Sequence, residues 1–306
     1  MCTKIHSFLT TDDDLELDIE IHFPLENPIG SKDPTGTTPS ASKGSNDLKR
    51  YNTLAILLHP YGPLGGSKDD RVIRKLSAQM AKKNIIVAAP NLRGVGSSQG
   101  STSWTAKGEC QDLKSILCAF LLPHKENMWD NPIISQTLKA NFDYSYSEII
   151  LVGYSFGAMV ASSITHDTIH EIVSMNNPDQ FPHCPTLSTI LLSYPLGVAW
   201  ALSLWKVFDF KRLFTELVSS TITSSQPVSE GRLLIIFGGK DQFTSYSSYK
   251  TWVQGKGILL QADDHHESSS EVGPLQVRSN SQGDHFWARE VDLDWLIQEI
   301  FCWLEI

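Results

Sequence analysis

Five stretches of this chain are apolar almost without interruption: Thr53 to Leu58, Ile85 to Ala89, Ile149 to Val152, Thr189 to Leu192 and Leu233 to Phe237. A strand covered on one face alternates apolar and polar residues. A continuous run means that both faces are covered, which is the condition of a parallel sheet between layers of helix. Helical patterns fall between the runs, over Asp69 to Lys83, Thr105 to Leu122, Phe156 to Thr165 and Ser245 to Gln254. A last one, Arg289 to Leu304, closes the chain. This alternation predicts an α/β fold with a mostly parallel, doubly wound sheet.

The N-terminal part follows another rule. Lys4 to Thr10 reads as a short strand. In Leu15 to Phe23 the residues Leu15, Leu17, Ile19, Ile21 and Phe23 share one face, with Glu16, Asp18, Glu20 and His22 on the other. That period of two predicts a half-buried antiparallel strand at the sheet edge. Leu25 to Arg50 is rich in Pro, Gly, Ser, Thr and Lys and nearly devoid of apolar residues. It cannot bury enough surface to offset its ordering entropy, so 25–50 is expected to be a flexible insertion within one domain spanning 1–306. The stretch 196–225 is helical in pattern and carries Trp200, Trp205, Phe208, Phe210 and Phe214. It reads equally as a small helical cap over the strand ends and as ordinary core. Ala262 to Glu271 is a polar loop without an apolar period, and no internal repeat is visible.

Charge and cysteine content exclude several classes. The formal net charge is −9, with no dense Lys/Arg stripe, so neither nucleic acid nor an anionic membrane surface is an expected partner. The five cysteines are scattered and form no C-x-x-C pair, which argues against a disulfide framework and against a zinc site. No apolar leader follows Met1, and no run is long enough to span a bilayer. The expected location is the cytosol, without stable membrane insertion.

The most informative short motif is Gly153-Tyr154-Ser155-Phe156-Gly157. It matches G-x-S-x-G, with a buried strand, Glu148 to Val152, before it and a small-residue helix after it. A sharp strand-to-helix turn forces the serine into strained geometry that only small neighbours accommodate. Such a nucleophile elbow holds the hydroxyl at the sheet edge, beside a helix start that favours developing negative charge. The bare pattern also arises as a plain turn whose serine caps a helix. Its context makes Ser155 the candidate nucleophile.

The residues that a serine nucleophile needs follow from the chemistry. Acyl transfer requires backbone N–H donors for the tetrahedral oxyanion. The amide of Phe156 is one candidate. The other comes from His59-Pro60-Tyr61-Gly62-Pro63-Leu64-Gly65-Gly66, a loop leaving the first buried parallel strand, with Tyr61 and Leu64 as candidate donors. An acid is expected after a later strand, and Asp241 follows Leu233 to Phe237 directly. His285, in the loop before the last helix, would move the serine proton while Asp241 orients it. His265 and His266, after Ile258 to Leu260, are rival bases. His285 is preferred because a strand-like stretch, Leu275 to Ser279, leads to it and a helix follows. His124, His166 and His170 read as plain surface or core residues.

Together these residues resemble the α/β-hydrolase superfamily, and within it small serine hydrolases akin to dienelactone-hydrolase-like and esterase-like enzymes. The resemblance runs from about Thr53 to the C-terminus. It rests on the H-P-Y-G-P-L-G-G loop, on Arg93-Gly94-Val95-Gly96-Ser97 and on G-Y-S-F-G. It implies that Arg93 is structural or pocket-shaping rather than catalytic. Two features depart from compact members of the family: the 25–50 insertion and the long connection Ala262 to Ser281 between acid and histidine.

The expected activity is hydrolysis of a carboxylic ester or thioester of a small-molecule acyl substrate, through an acyl-enzyme and without metal or cofactor. Gly94-Val95-Gly96 lacks the further glycine and acidic partner of a dinucleotide site. Amide or peptide cleavage by the same triad is the alternative within the class. A non-catalytic binding protein with the same fold is the alternative outside it.

Overall fold

Every continuous apolar run becomes a strand of one eight-stranded sheet. The structure is a computed structural model that describes residues 2–24, 52–103, 105–122, 128–142, 146–175, 184–197, 207–223, 231–255 and 274–306. The strands are β1 (Cys2–Thr10), β2 (Glu16–Pro24), β3 (Thr53–Leu58), β4 (Ile86–Pro90), β5 (Glu148–Tyr154), β6 (Thr186–Leu192), β7 (Gly231–Gly238) and β8 (Leu275–Asn280). Their spatial order is β1-β2-β4-β3-β5-β6-β7-β8. From β4 to β8 all neighbours are parallel, whereas β2 is antiparallel to both β1 and β4.

Alternate side chains of the buried strands feed two separate cores. Leu54, Ile56 and Leu58 of β3 enter one, and Ala55 and Leu57 enter the other. The second core is completed by α1 (Arg71–Lys82) and by α8 (Glu290–Leu304) at the end of the chain. The first is covered by α2 (Lys107–Leu121), α3 (Pro132–Phe142), α4 (Phe156–Ala161), α5 (His166–Ser174), α6 (Val207–Thr223) and α7 (Tyr246–Gln254). Truncating a fully buried Ile56 or Leu151 to Ala would cost about 2–5 kcal/mol, because a two-sided core leaves little room to collapse around the cavity.

Local chemistry sets the helix ends. Asp70 caps α1, its side chain accepting from the amides of Val72 and Ile73. The single helix expected over Phe156 to Thr165 is shorter, because Thr165 is itself the N-cap of α5 in a capping box with Thr168. The helix α3 was not legible in the sequence.

Two further expectations meet the structure. The polar face of β2 is solvated only in part: Glu16 is exposed, whereas His22 is buried, and Asp18 forms an ion pair with the buried Lys68 and accepts from Asn91 at 3.1 Å. Of the 196–225 stretch, α6 lies among the described residues, and its Phe214, Leu217 and Val218 pack into the first core. Phe214 meets Tyr194 and Trp252 at centroid distances of 5.6 and 4.1 Å. Residues 198–206, 224 and 225, the 25–50 insertion and the polar loop Ala262 to Glu271 lie outside the described residues. Among the described residues no helix is long and apolar enough to cross a membrane.

The strand order positions the site. After β3 the chain moves outward to β4, then returns past β3 to β5 and continues the other way. Loops leaving the carboxyl ends of β3 and β5 therefore diverge and open a crevice, the place where α/β sheets bind ligands. The loop beginning at His59 leaves one of those ends, and Ser155 leaves the other.

Candidate active site

Ser155 sits at the tip of the turn from β5 to α4 with φ 54° and ψ −114°. This is a sparsely populated backbone region that costs of order 1–3 kcal/mol and persists only where neighbours enforce it. The Ser155 amide donates to the Leu192 carbonyl at 2.8 Å, and its carbonyl accepts from Ala158 at 2.9 Å. The flanking glycines are steric requirements. A Cβ on Gly153 would lie 2.4 Å from the Gly157 carbonyl oxygen, and one on Gly157 would lie 2.4 Å from that of Leu58. The second contact wedges the elbow against the end of β3.

His285 lies just after β8, in the loop before α8. Its Nε2 is 2.9 Å from Ser155 Oγ, and its Nδ1 is 2.7 Å from Asp241 Oδ2. An ionised carboxylate can only accept, so Nδ1 carries the proton and Nε2 is left to accept from the serine hydroxyl. Asp241 follows β7, and its Oδ1 accepts from the amides of Phe243 and Thr244 at 2.8 and 2.9 Å. Both carboxylate oxygens are thus satisfied, which a buried charge requires. All three residues are buried, with His285 only 2% exposed. The structure therefore brings together the serine, acid and histidine singled out in the sequence. His124, His265 and His266 lie outside the described residues, and His166 and His170 are on α5.

Three supporting groups escaped the sequence reading. The Tyr154 hydroxyl donates to the His285 carbonyl at 2.9 Å. The Gln242 side chain accepts from the His285 amide at 3.0 Å. His59 is buried, its Nδ1–H donates to the Pro60 carbonyl at 2.6 Å, and its Nε2 accepts from the Leu92 amide at 3.0 Å. Burial pushes the His59 imidazole down to about 4, against the raising effect of its bond to Pro60. It is a neutral tie between two loops. Its one available signal was position, a histidine at a strand end before proline.

The His59–Gly66 loop folds into a short 3₁₀ turn, Gly62–Leu64. The Leu64 amide donates to the Tyr61 carbonyl at 3.1 Å, as does that of Gly66. Among the described residues the amides of Tyr61 and Phe156 donate to no protein acceptor. The Arg93 guanidinium binds Asp112 through Nε at 3.0 Å and Nη2 at 2.6 Å, fastening the start of the 93–103 loop to α2. Among the described residues no three His, Cys, Asp or Glu side chains form a group that could hold a metal.

Sheet order, two-sided helix cover and the strained serine turn define an α/β-hydrolase fold, and comparison with solved structures agrees. The chain superposes on an α/β serine hydrolase without a lid from Xanthomonas campestris with a TM-score of 0.57 at 17% identity, covering 99% of this chain and 94% of that one. It superposes on a Pyrococcus furiosus esterase with a TM-score of 0.54 at 14% identity, covering 100% and 92%. With α/β hydrolase domain-containing protein 10 from mouse the TM-score is 0.52 at 17% identity, covering 98% of each chain. No family model and no curated protein sequence matches the chain. At these identities the likeness is one of fold.

Proposed function

We propose that this protein is a serine hydrolase that cleaves a carboxylic ester or thioester of a small acyl substrate through a covalent acyl-enzyme. The observation that carries the proposal is the unbroken hydrogen-bond chain from Ser155 Oγ through His285 to Asp241. Ser155 attacks the carbonyl carbon while its proton moves to His285 Nε2. Asp241 holds the tautomer and stabilises the imidazolium. The amides of Phe156 and Tyr61 receive the oxyanion, the Leu64 amide being engaged by Tyr61. His285 then returns the proton to the leaving group, and water enters by the same route in reverse.

Two of the superposed structures, a serine hydrolase and an esterase, are in keeping with this reading. The chain's own triad geometry is its main support. The test is labelling with a fluorophosphonate probe. Covalent capture that disappears in Ser155→Ala supports the assignment. A wild-type protein that is folded and takes no label argues for a binding protein on the same fold.

A further inference from the structure

Two aromatic rings flank the imidazole of His285. Phe243, two residues after Asp241, has its centroid 4.5 Å from that of the imidazole at an interplanar angle of 76°. Phe286, the next residue after His285, stands 5.4 Å away at 82°. The two phenyl rings meet each other at 5.8 Å and 77°. Although its neighbour His285 is 2% exposed, Phe286 is 55% exposed. A lone exposed apolar residue is ordinary. This one belongs to a three-ring cluster built on the candidate base, and it leaves apolar surface open beside it.

From this placement we propose that Phe286 and Phe243 receive the leaving group, so that the enzyme selects esters of apolar or aromatic alcohols. The inference rests on the acyl-enzyme reading above. In acylation the bond from Ser155 Oγ to the carbonyl carbon forms and the bond to the alcohol oxygen breaks. The serine proton, carried on His285 Nε2, goes to that oxygen, and the neutral alcohol departs. Water later cleaves the acyl-serine bond to give the acid. The departing oxygen must lie within hydrogen-bond reach of Nε2, so an alcohol of a few carbons reaches the rings around the same imidazole. The acyl part lies on the other side, toward the Tyr61 loop, where Tyr61 packs on Phe156 at 5.1 Å. Among the described residues no lysine or arginine bonds to the side chains of Ser155, His285 or Asp241.

The experiment uses the purified full chain and one acyl group, butyrate, on methanol, butanol and benzyl alcohol. A common acyl-enzyme confines differences in kcat/KM to acylation. The benzyl ester should exceed the methyl ester by on the order of tenfold, from the apolar area covered. Phe286→Ala should bring the benzyl-to-methyl ratio toward one, and Phe286→Leu should keep much of it. Equal rates across the alcohols, or a ratio unmoved by Phe286→Ala, would overturn the proposal. Methyl-ester turnover that depends on Ser155 but ignores the alcohol overturns this inference alone. No ester cleavage and no label on Ser155 overturns the hydrolase reading with it.

Discussion

The phenol of Tyr154 donates to the main-chain carbonyl of His285, so the residue before the candidate nucleophile holds the loop of the candidate base. Burial, with the carboxylates of Asp70, Asp284 and Asp241, pushes this phenol well above its ordinary value, and it stays a neutral donor. Tyr154→Phe leaves the His285 carbonyl buried without that partner. The expected result is a loss of about 1–3 kcal/mol in urea unfolding, together with a lower kcat at nearly constant KM. A variant that keeps both values would show the bond to be incidental.

The three side chains of the hydrogen-bond chain should act as one unit. Ser155→Ala and His285→Ala are each expected to lower kcat on the order of a million-fold, and the double variant should be scarcely worse than either. Asp241→Asn can still accept from Phe243 and Thr244 but no longer orients Nδ1–H, and it should cost about ten-thousand-fold. His266→Ala should keep most of the wild-type rate. Reversed phenotypes of His266→Ala and His285→Ala would move the base to the earlier loop.

His59 should make the fold acid-sensitive. Its folded-state value of about 4 lies below the ordinary value of 6.5, so between those values the unfolded chain binds the extra proton more tightly. Stability is therefore intact above pH 6.5 and falls as pH drops through the window toward 4. Between pH 7 and pH 5 this group alone removes about 2 kcal/mol. Urea unfolding at the two values, for wild type and His59→Gln, measures the difference. An equal pH dependence in both would exclude His59 as its source.

Residues 25–52 connect strand ends that lie close together. His22 of β2 is opposite Val87 of β4, and Leu54 of β3 is opposite Ile86. The end of β2 and the start of β3 are thus two strand spacings apart, about 10 Å, at the sheet edge away from Ser155. A Gly/Ser link of about eight residues spans that gap. Replacing 25–50 by such a link should leave the melting temperature and esterase rate near wild type. A collapse in either would show that the segment packs on the domain or enters the site.

The sequence by itself determined the sheet, its two-sided burial, the elbow at Ser155 and the loops that supply Asp241 and His285. Each rests on short-range rules: a period of two against continuous apolarity, steric demand at a glycine, a turn at a strand's end. Only the tertiary structure decided what those loops meet. No local pattern shows that His285 reaches across 130 residues to Ser155, that Tyr154 bonds to the main chain of the candidate base, or that His22 and Asp18 lie largely under cover on a face whose alternation predicts solvent. Helix α3 escaped because its apolar residues have a weak period and its burial comes from the core it joins. Such contacts depend on where the strand order folds the chain back at β3 and β5, and strand order is a property of packing between distant segments rather than of any one of them.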